Sequence, residues 1–175
     1  MNETLRILEN RRSCRKFIPG KVPPEADIQA IIRAGTFAPS GMGRQPVKII
    51  AVTNKTLRDA ISAENARVMG KGAEFDPFYG APVILIVLAD KSAPTYLYDG
   101  SLVMGNLMNA AESLGIANIW IHRAKEEFDS DFGKKILKDL GIEGDFEGIG
   151  HVALGYRDGE PASAADRKEN VYWYR

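Results

Sequence analysis

The sequence predicts a single domain of mixed helix and strand in which the two kinds of element alternate along the chain. A chain of 175 residues has the length of one domain. Its apolar fraction of 45% and charged fraction of 26% are ordinary for a globular protein. Segments of helical and extended pattern follow one another in the order α, α, β, α, β, α, β, α, β, and a tail closes the chain.

The first half of the chain is predicted to hold three helices and one strand. Thr4–Asn10 has the pattern of a short amphipathic helix. A second helix is expected to begin near Pro24, because proline fits a first helical turn and isoleucines follow at helical spacing. Lys48–Thr53 is expected as a strand, and a third helix is expected from Lys55 to about Ala63. The segment Asn65–Tyr79 is left unassigned, because glycine and proline interrupt its pattern.

The second half of the chain contains the sequence patterns that predict strands and helices most clearly. Val83–Ala89 is a continuous apolar run, which is typical of a central strand buried on both faces. Asp99–Leu114 is apolar around most of its circumference and is predicted as a core helix. A short strand over Ile119–Ile121, a helix over Phe128–Leu140 and a strand over Gly150–Gly155 complete the prediction.

Composition excludes several classes of function. Lys and Arg together number 23, as do Asp and Glu, so the formal net charge is zero. This balance argues against a generally basic nucleic-acid binder and against a polybasic membrane-surface protein. The single cysteine, Cys14, excludes an internal disulfide and every multi-cysteine metal site. Two histidines are too few for most histidine-based metal centres, and no apolar run approaches the ~20 residues that span a bilayer. We therefore expect a cytoplasmic domain without a metal, nucleic-acid or membrane partner.

The densest positive charge lies in the basic segment, Arg11–Phe17, with the sequence RRSCRKF. The guanidinium group of arginine can bind two phosphate oxygens at once, so this segment is a candidate phosphate site. The alternative is a solvated basic turn, which would have the same composition. Asp166–Lys168 near the chain end would either close such a site or be a plain charged loop. The motifs GxGxxG and GxxxxGK[ST] are absent, which argues against Rossmann-fold dehydrogenases and Walker-type hydrolases.

The second candidate is the small-residue loop, Ala38–Pro46, with the sequence APSGMGRQP. Small residues let the backbone approach a flat ligand closely, and Gln45 offers both donors and an acceptor. A plain helix-to-strand connection remains the alternative. His122 follows a predicted strand and is either a ligand contact or a surface histidine, whereas His151 lies within a strand and is expected to be structural.

Five segments, in order, resemble motifs of the FMN-dependent nitroreductase family. RRSCRKF resembles the family's RRSxRxF opening, and APSGMGRQP resembles its PSxxNxQPW loop. YGAPVILIVL resembles its central strand, and DGSLVMGNLMNAAESLGIANIWI resembles its central helix with the ending that follows. HVALGYRDGEP, with a later RK pair, resembles the last core strand and the phosphate-contacting tail. The resemblance covers nearly the whole chain, and the length suits the shorter branch of the family.

The resemblance implies one nitroreductase-like domain of the α+β class over residues 1–175, with a central, mainly antiparallel sheet flanked by helices. It also implies an obligate homodimer with two FMN sites at the interface. Residues 156–175 would form an arm exchanged between subunits. Such an arm would explain the aromatic end of the chain, Val171–Tyr174, which is costly to expose.

Three groups of residues are implied to bind FMN. The group around the phosphate, ribityl chain and pyrimidine edge comprises Arg11, Arg12, Ser13, Arg15, Arg167 and Lys168. The group that approaches the cofactor from the partner subunit comprises Pro39, Ser40, Gly41 and Gln45. The group at the isoalloxazine ring comprises Asn65, Ile121, His122 and Arg123.

The implied activity is that of an FMN-dependent NAD(P)H oxidoreductase with ping-pong turnover. Hydride from NADH or NADPH would pass through flavin N5 to a nitroaromatic, a quinone or a similar small acceptor. No side chain is required as an acid or base, so no catalytic residue is assigned. Three alternatives stay open: a specialised family member that performs ene reduction or reductive dehalogenation, a non-catalytic flavin sensor or storage protein, and a phosphate- or nucleotide-binding module without flavin.

Two positions depart from the family pattern. Gly43 stands where the loop motif has asparagine, and Val47 stands where it has tryptophan. FMN binding is expected to persist because the phosphate cluster is complete, whereas the choice of acceptor is open.

Overall fold

The computed structural model describes residues 1–175 and contains six α-helices and four strands. The helices are α1 (Glu3–Asn10), α2 (Glu25–Thr36), α3 (Lys55–Val68), α4 (Tyr96–Ser113), α5 (Ala124–Asp129) and α6 (Asp131–Asp139). The strands are β1 (Val47–Val52), β2 (Val83–Asp90), β3 (Ala117–Ile121) and β4 (Phe146–Gly155). The predicted α+β class is confirmed, and most predicted elements are present with ends shifted by a few residues.

The four strands form one sheet in the order β1-β2-β4-β3, and every neighbouring pair is antiparallel. The antiparallel sheet implied by the family resemblance is therefore confirmed. Strands β2 and β4 occupy the middle, and β1 and β3 form opposite edges. Three strand intervals of about 4.8 Å separate those edges by roughly 14 Å.

Strand β2 organises the core on both faces of the sheet. Ile84, Ile86 and Leu88 pack into one apolar cluster, and Val83, Leu85 and Val87 pack into the other. All six side chains are fully buried, as the sequence predicts for a central strand. Helices α2 and α4 contribute to the second cluster, and α3 contributes to the first.

The single helix predicted over Phe128–Leu140 is wrong, because the segment holds two helices that meet at Ser130. The backbone of Ser130 is extended, with φ −79° and ψ 165°, and its hydroxyl donates to the Glu127 carbonyl at 2.7 Å. A local bond of this kind competes with helix continuation. Gly133 then allows α6 to lie directly on α5, because a Cβ there would stand 2.4 Å from the Glu127 carbonyl oxygen.

Helix α4 is a core helix on only one side. Met104 and Leu107 are fully buried against the sheet, whereas Tyr98 and Leu102 are 73% and 47% exposed. The sequence predicts an apolar surface nearly all round this helix, and one chain covers only part of it. The uncovered part is apolar surface available to another molecule.

The end of the chain is extended and exposed. Arg157 still pairs with Phe17 in an isolated bridge, and Lys16 still binds Asp158 at 2.7 Å. The exposed tail, residues 159–175, contains no regular structure. Within it, Trp173 is 77% exposed and Tyr174 is completely exposed. None of the helices combines the length and apolar character needed to cross a membrane.

Candidate functional site

The basic segment runs alongside the edge strand β3. Ser13 forms a parallel bridge with Asn118, and the Cys14 N–H donates to the Asn118 carbonyl at 2.9 Å. Parallel pairing carries the following residues in the direction of β3, so Arg15 lies beside the second half of that strand. The cationic side chains predicted from the sequence are therefore distributed along one edge of the sheet.

A cluster of guanidinium groups stands at the beginning of β3. Arg11 donates to the Asn118 side chain at 3.5 Å, and Arg157 donates to the Arg12 carbonyl at 3.0 Å. Glu112 of α4 lies near all three arginines. Burial raises the pKa of the Glu112 carboxyl, while Arg157, Arg11 and Arg12 act in the opposite direction. With three guanidinium groups beside one carboxylate, the cluster favours an anion.

Arg157 is a site residue that the sequence analysis missed. It lies two residues after the end of β4, within the quoted segment HVALGYRDGEP. The feature of the sequence that could have identified Arg157 is the position of an arginine shortly after a predicted buried strand. Its proximity to Arg12, 145 positions earlier, depends on how the sheet is assembled.

A cleft of about 190 Å³ lies further along β3. Its lining combines two arginines, apolar and aromatic side chains, and the segment after the strand: Arg15, Met69, Phe75, Pro77, Tyr79, Ile119, Trp120, Ile121, His122 and Arg123. The structure thus brings Arg15 together with the three residues expected near a flavin face. Apolar walls with guanidinium groups suit a flat ring that carries negative charge at one edge.

Asn65 lies beneath this cleft rather than at its surface. Its side chain is fully buried, and its amide nitrogen donates to the His122 carbonyl at 2.9 Å and to the Glu127 carboxyl. Its Oδ1 atom has no partner. A direct contact between Asn65 and a ring stays a prediction, whereas its contact with the backbone of the cleft is present in the structure.

The small-residue loop lies elsewhere, beside β1 at the opposite edge of the sheet. Pro39, Ser40 and Gln45 line a separate cavity of about 240 Å³. The Gly41 N–H donates to the buried Asp99 carboxylate at 2.9 Å. A Cβ at Gly41 would stand 2.2 Å from the Thr95 hydroxyl, so this close approach requires glycine. A single chain does not bring the loop to the Arg15 cleft.

The two departures from the family motif have different structural consequences. Gly43 has φ +66° with open space around it, a conformation that asparagine also tolerates. The replacement of asparagine by glycine therefore removes a side chain but does not require a different backbone conformation of the loop. Val47 begins β1, lines the loop cavity and packs against the core.

Unusual backbone conformations mark the same two regions. The four non-glycine residues with positive φ are Met42, Gln45, Tyr79 and Arg123. The first two lie in the small-residue loop, and the other two line the cleft. Such conformations are costly and concentrate at ligand sites. The backbone conformations therefore indicate that both regions are candidate ligand sites, independently of the sequence motifs.

Arg167 and Lys168 are not joined to the guanidinium cluster. Both lie in the exposed tail, beyond the last residues anchored to the basic segment. Their predicted role at a phosphate stays a prediction.

The residues along β3 fit FMN. The guanidinium cluster and Ser13 supply charge and a hydroxyl for a phosphate, and Arg15 with the cleft suits a flavin ring. From Asn118 to Ile121 the strand advances by about 10 Å, close to the length of an extended ribityl phosphate chain. The donor set thus has an anion-binding end and a ring-binding end, separated along the strand.

Comparisons with known proteins agree with this geometry. The model of the nitroreductase family matches residues 8–156. A Bacteroides fragilis nitroreductase with bound FMN superposes with a TM-score of 0.87 at 30% identity, over 99% of both chains. An FMN-bound nitroreductase of Desulfitobacterium hafniense gives 0.84 at 32% identity, over 99% of this chain and 100% of the other. A relative from Archaeoglobus fulgidus, "Putative NADH dehydrogenase/NAD(P)H nitroreductase", is 28% identical over 97% of this chain and 95% of its own length. The chain belongs to the nitroreductase family.

Proposed function

We propose that this chain is an FMN-dependent NAD(P)H oxidoreductase that delivers electrons to a nitroaromatic, a quinone or a similar small acceptor. The observation that carries the proposal is the arrangement along β3, where a guanidinium cluster lies at the beginning of the strand and the Arg15 cleft lies further along it. The FMN-bound neighbours support the choice of cofactor. The name of the archaeal relative supports a nicotinamide donor.

Each group of residues has a distinct task. Arg11, Arg12 and Arg157, with Ser13, would hold the phosphate through charge-assisted hydrogen bonds. Arg15 would face the pyrimidine edge, where its positive charge stabilises the negative charge of a reduced flavin. Bound FMN would supply the redox chemistry between the nicotinamide nucleotide and the acceptor. The protein binds, orients and tunes it, so no side chain is assigned as a general acid or base.

A second copy of the chain would complete the site. The small-residue loop lies at the edge of the sheet opposite the Arg15 cleft, so a loop that meets the cleft would come from another chain. The uncovered side of α4 offers apolar surface for such pairing. The exposed tail, with its aromatic end, would lie on the partner. A homodimer with FMN at its interface accounts for all three features.

Anaerobic absorption spectra test the proposed activity. We expect the purified protein, loaded with FMN, to show flavin bands that bleach when NADH or NADPH is added without oxygen. Flavin bands that persist with both nucleotides would contradict the NAD(P)H oxidoreductase and favour a flavin sensor. A protein that takes up no FMN on reconstitution would overturn the cofactor assignment.

Deletion of residues 170–175 tests the pairing. We expect the shortened chain to dissociate at protein concentrations where the full chain is dimeric, because the deletion removes Tyr172, Trp173 and Tyr174. Sedimentation velocity measures the change. A full-length control with those three residues replaced by serine should dissociate equally, since the contact is apolar. A shortened chain that stays fully dimeric would contradict an exchanged arm.

A further inference from the structure

A fully buried polar network lies directly behind the cleft. The His151 Nε2 atom is 2.8 Å from a Glu127 carboxyl oxygen, and the other oxygen of that carboxyl accepts from Asn65. The side chains of Glu127 and His151 are 0% exposed, and Asn65 is equally buried. Buried polar groups of this kind are costly unless they are well satisfied, so the network calls for a role.

The network binds two consecutive carbonyl groups of the cleft. The His151 Nδ1 atom lies 3.3 Å from the Ile121 carbonyl oxygen, and Asn65 donates to the His122 carbonyl at 2.9 Å. Because a carbonyl only accepts, Nδ1 must carry a proton. A hydrogen bond between Nε2 and the Glu127 carboxyl requires one further proton between these two groups.

Both carbonyls are held inward, which directs two N–H groups outward. In a trans peptide the N–H points away from the carbonyl of the same unit, and the chain contains no cis peptide. The N–H groups of His122 and Arg123 therefore face away from the network, and both residues line the cleft. Neither N–H donates to another group of the chain.

The surrounding packing makes this arrangement rigid. Helix α5, which carries Glu127, is seated on Gly148 of β4, where a Cβ would stand 2.2 Å from the Ala124 carbonyl carbon. The buried ring of Phe78 packs edge-on against His151 at 5.2 Å. Arg123 completes the turn with a positive φ of 78°. The network thus sets the orientation of a strained backbone segment.

We propose that Asn65, Glu127 and His151 are positioning residues that present the N–H groups of His122 and Arg123 to bound FMN. The inference rests on the proposed function, because it takes FMN as the ligand. Successive unpaired N–H groups form a concave donor site for an electron-rich atom. Fixing them in advance removes the cost of ordering them when the ligand binds.

Four variants and two measurements test the inference. Asn65→Leu and His151→Phe each remove one hydrogen bond to a carbonyl group of the cleft and replace the side chain with one of similar size. Glu127→Gln retains a hydrogen-bonding partner for both Asn65 and His151. Ser62→Ala is the matched control, because it removes a part-buried hydrogen bond of α3 to Asp76, and neither of these two residues lines the cleft. The measurements are the FMN dissociation constant of the apoprotein and amide hydrogen exchange at His122 and Arg123, with and without FMN.

In the unmodified protein we expect both amides to exchange rapidly without FMN and to become protected with it. Asn65→Leu and His151→Phe should each weaken FMN binding by about tenfold, the factor that accompanies loss of a hydrogen bond of ordinary strength, and should lose that protection. Glu127→Gln and Ser62→Ala should change the dissociation constant by less than about twofold, a difference too small for a lost hydrogen bond.

Three outcomes would overturn the inference or the proposed function on which it rests. Amides of His122 and Arg123 that are protected without FMN would overturn the inference, and this result needs no variant. FMN binding by the unmodified chain, with unchanged affinity and protection in Asn65→Leu and His151→Phe, would overturn the positioning role alone. Failure of the unmodified chain to bind FMN would overturn the proposed function, and with it FMN as the ligand of these N–H groups.

Discussion

Replacing Arg11 and Ser13 together with alanine is expected to weaken FMN binding by about 10- to 150-fold. Loss of one charge-assisted hydrogen bond costs about 1.5–3 kcal/mol, and each 1.4 kcal/mol is a factor of ten in affinity. Both residues adjoin Asn118 at the start of β3, where the guanidinium cluster stands. Titration of the apoprotein with FMN, followed by flavin fluorescence, measures the effect.

Lys16→Ala provides the matched control for this double variant. Lys16 belongs to the same basic segment, but its side chain is 75% exposed and paired with Asp158 at 2.7 Å. A solvated positive charge contributes little, so this variant should bind FMN nearly as well as the unmodified chain. Equal weakening by Lys16→Ala would show that the segment acts only through its net charge. Unchanged affinity in the double variant would remove the phosphate site from the basic segment.

Replacing Asp76 with alanine is expected to cost about 1.5–3 kcal/mol of unfolding free energy, the range for losing a hydrogen bond to a charged group, since the Asp76 side chain is 31% exposed. Asp76 accepts from Arg58 at 2.5 Å, from Ser62 at 2.8 Å, and from the N–H groups of Phe78 and Gly80 at 2.9 and 2.7 Å. The Arg58 side chain is only 9% exposed, so the substitution leaves a positive charge buried. Urea denaturation measures the loss.

The same guanidinium supplies the control. Asp59 lies 3.3 Å from Arg58 on its solvent side and is 47% exposed. Asp59→Ala should cost less than about 1 kcal/mol, as exposed pairs do. A loss for Asp76→Ala no larger than the loss for Asp59→Ala would refute the central role of Asp76 in stability.

Asp76 also predicts how stability depends on acidity. Burial on its own raises the pKa of Asp76, but hydrogen bonds from Arg58, Ser62 and the Phe78 N–H outweigh it and leave the pKa below its ordinary value. A lowered pKa in the folded chain adds stability above the unfolded pKa of about 3.9, and this stability is lost as the pH falls through the folded pKa. The difference in unfolding free energy between the unmodified chain and Asp76→Asn should therefore shrink below about pH 4.

The sequence was sufficient for features that depend on local pattern. Val83–Ala89 predicted a buried central strand because an uninterrupted apolar run has few other solutions, and β2 confirms it. The basic segment and the small-residue loop were identifiable because their residue types are unusual over a short stretch. The predicted family is confirmed for the same reason, since several local motifs recur in order.

Features that depend on distant partners were not predictable in the same way. Arg157 joins Arg12 only because the residues after β4 pair with the end of the basic segment, as in the Phe17–Arg157 bridge. Asn65 gave no sign that its side chain would be buried beneath His122. The break at Ser130 depends on a bond to the Glu127 carbonyl that competes weakly with a helix, and propensity alone does not resolve it. Such contacts depend on how the folded chain brings its segments together, and the local sequence pattern does not specify them.

The width of the sheet has a thermodynamic consequence. The Arg15 cleft and the small-residue loop stand at opposite edges, roughly 14 Å apart by strand spacing. Under the proposed pairing, ligand binding and subunit association become linked equilibria. A ligand held between two chains strengthens their association, and association strengthens its binding by the same factor. Cofactor retention would then fall on dilution of the protein, and added cofactor would hold the dimer together at concentrations where the free chains separate.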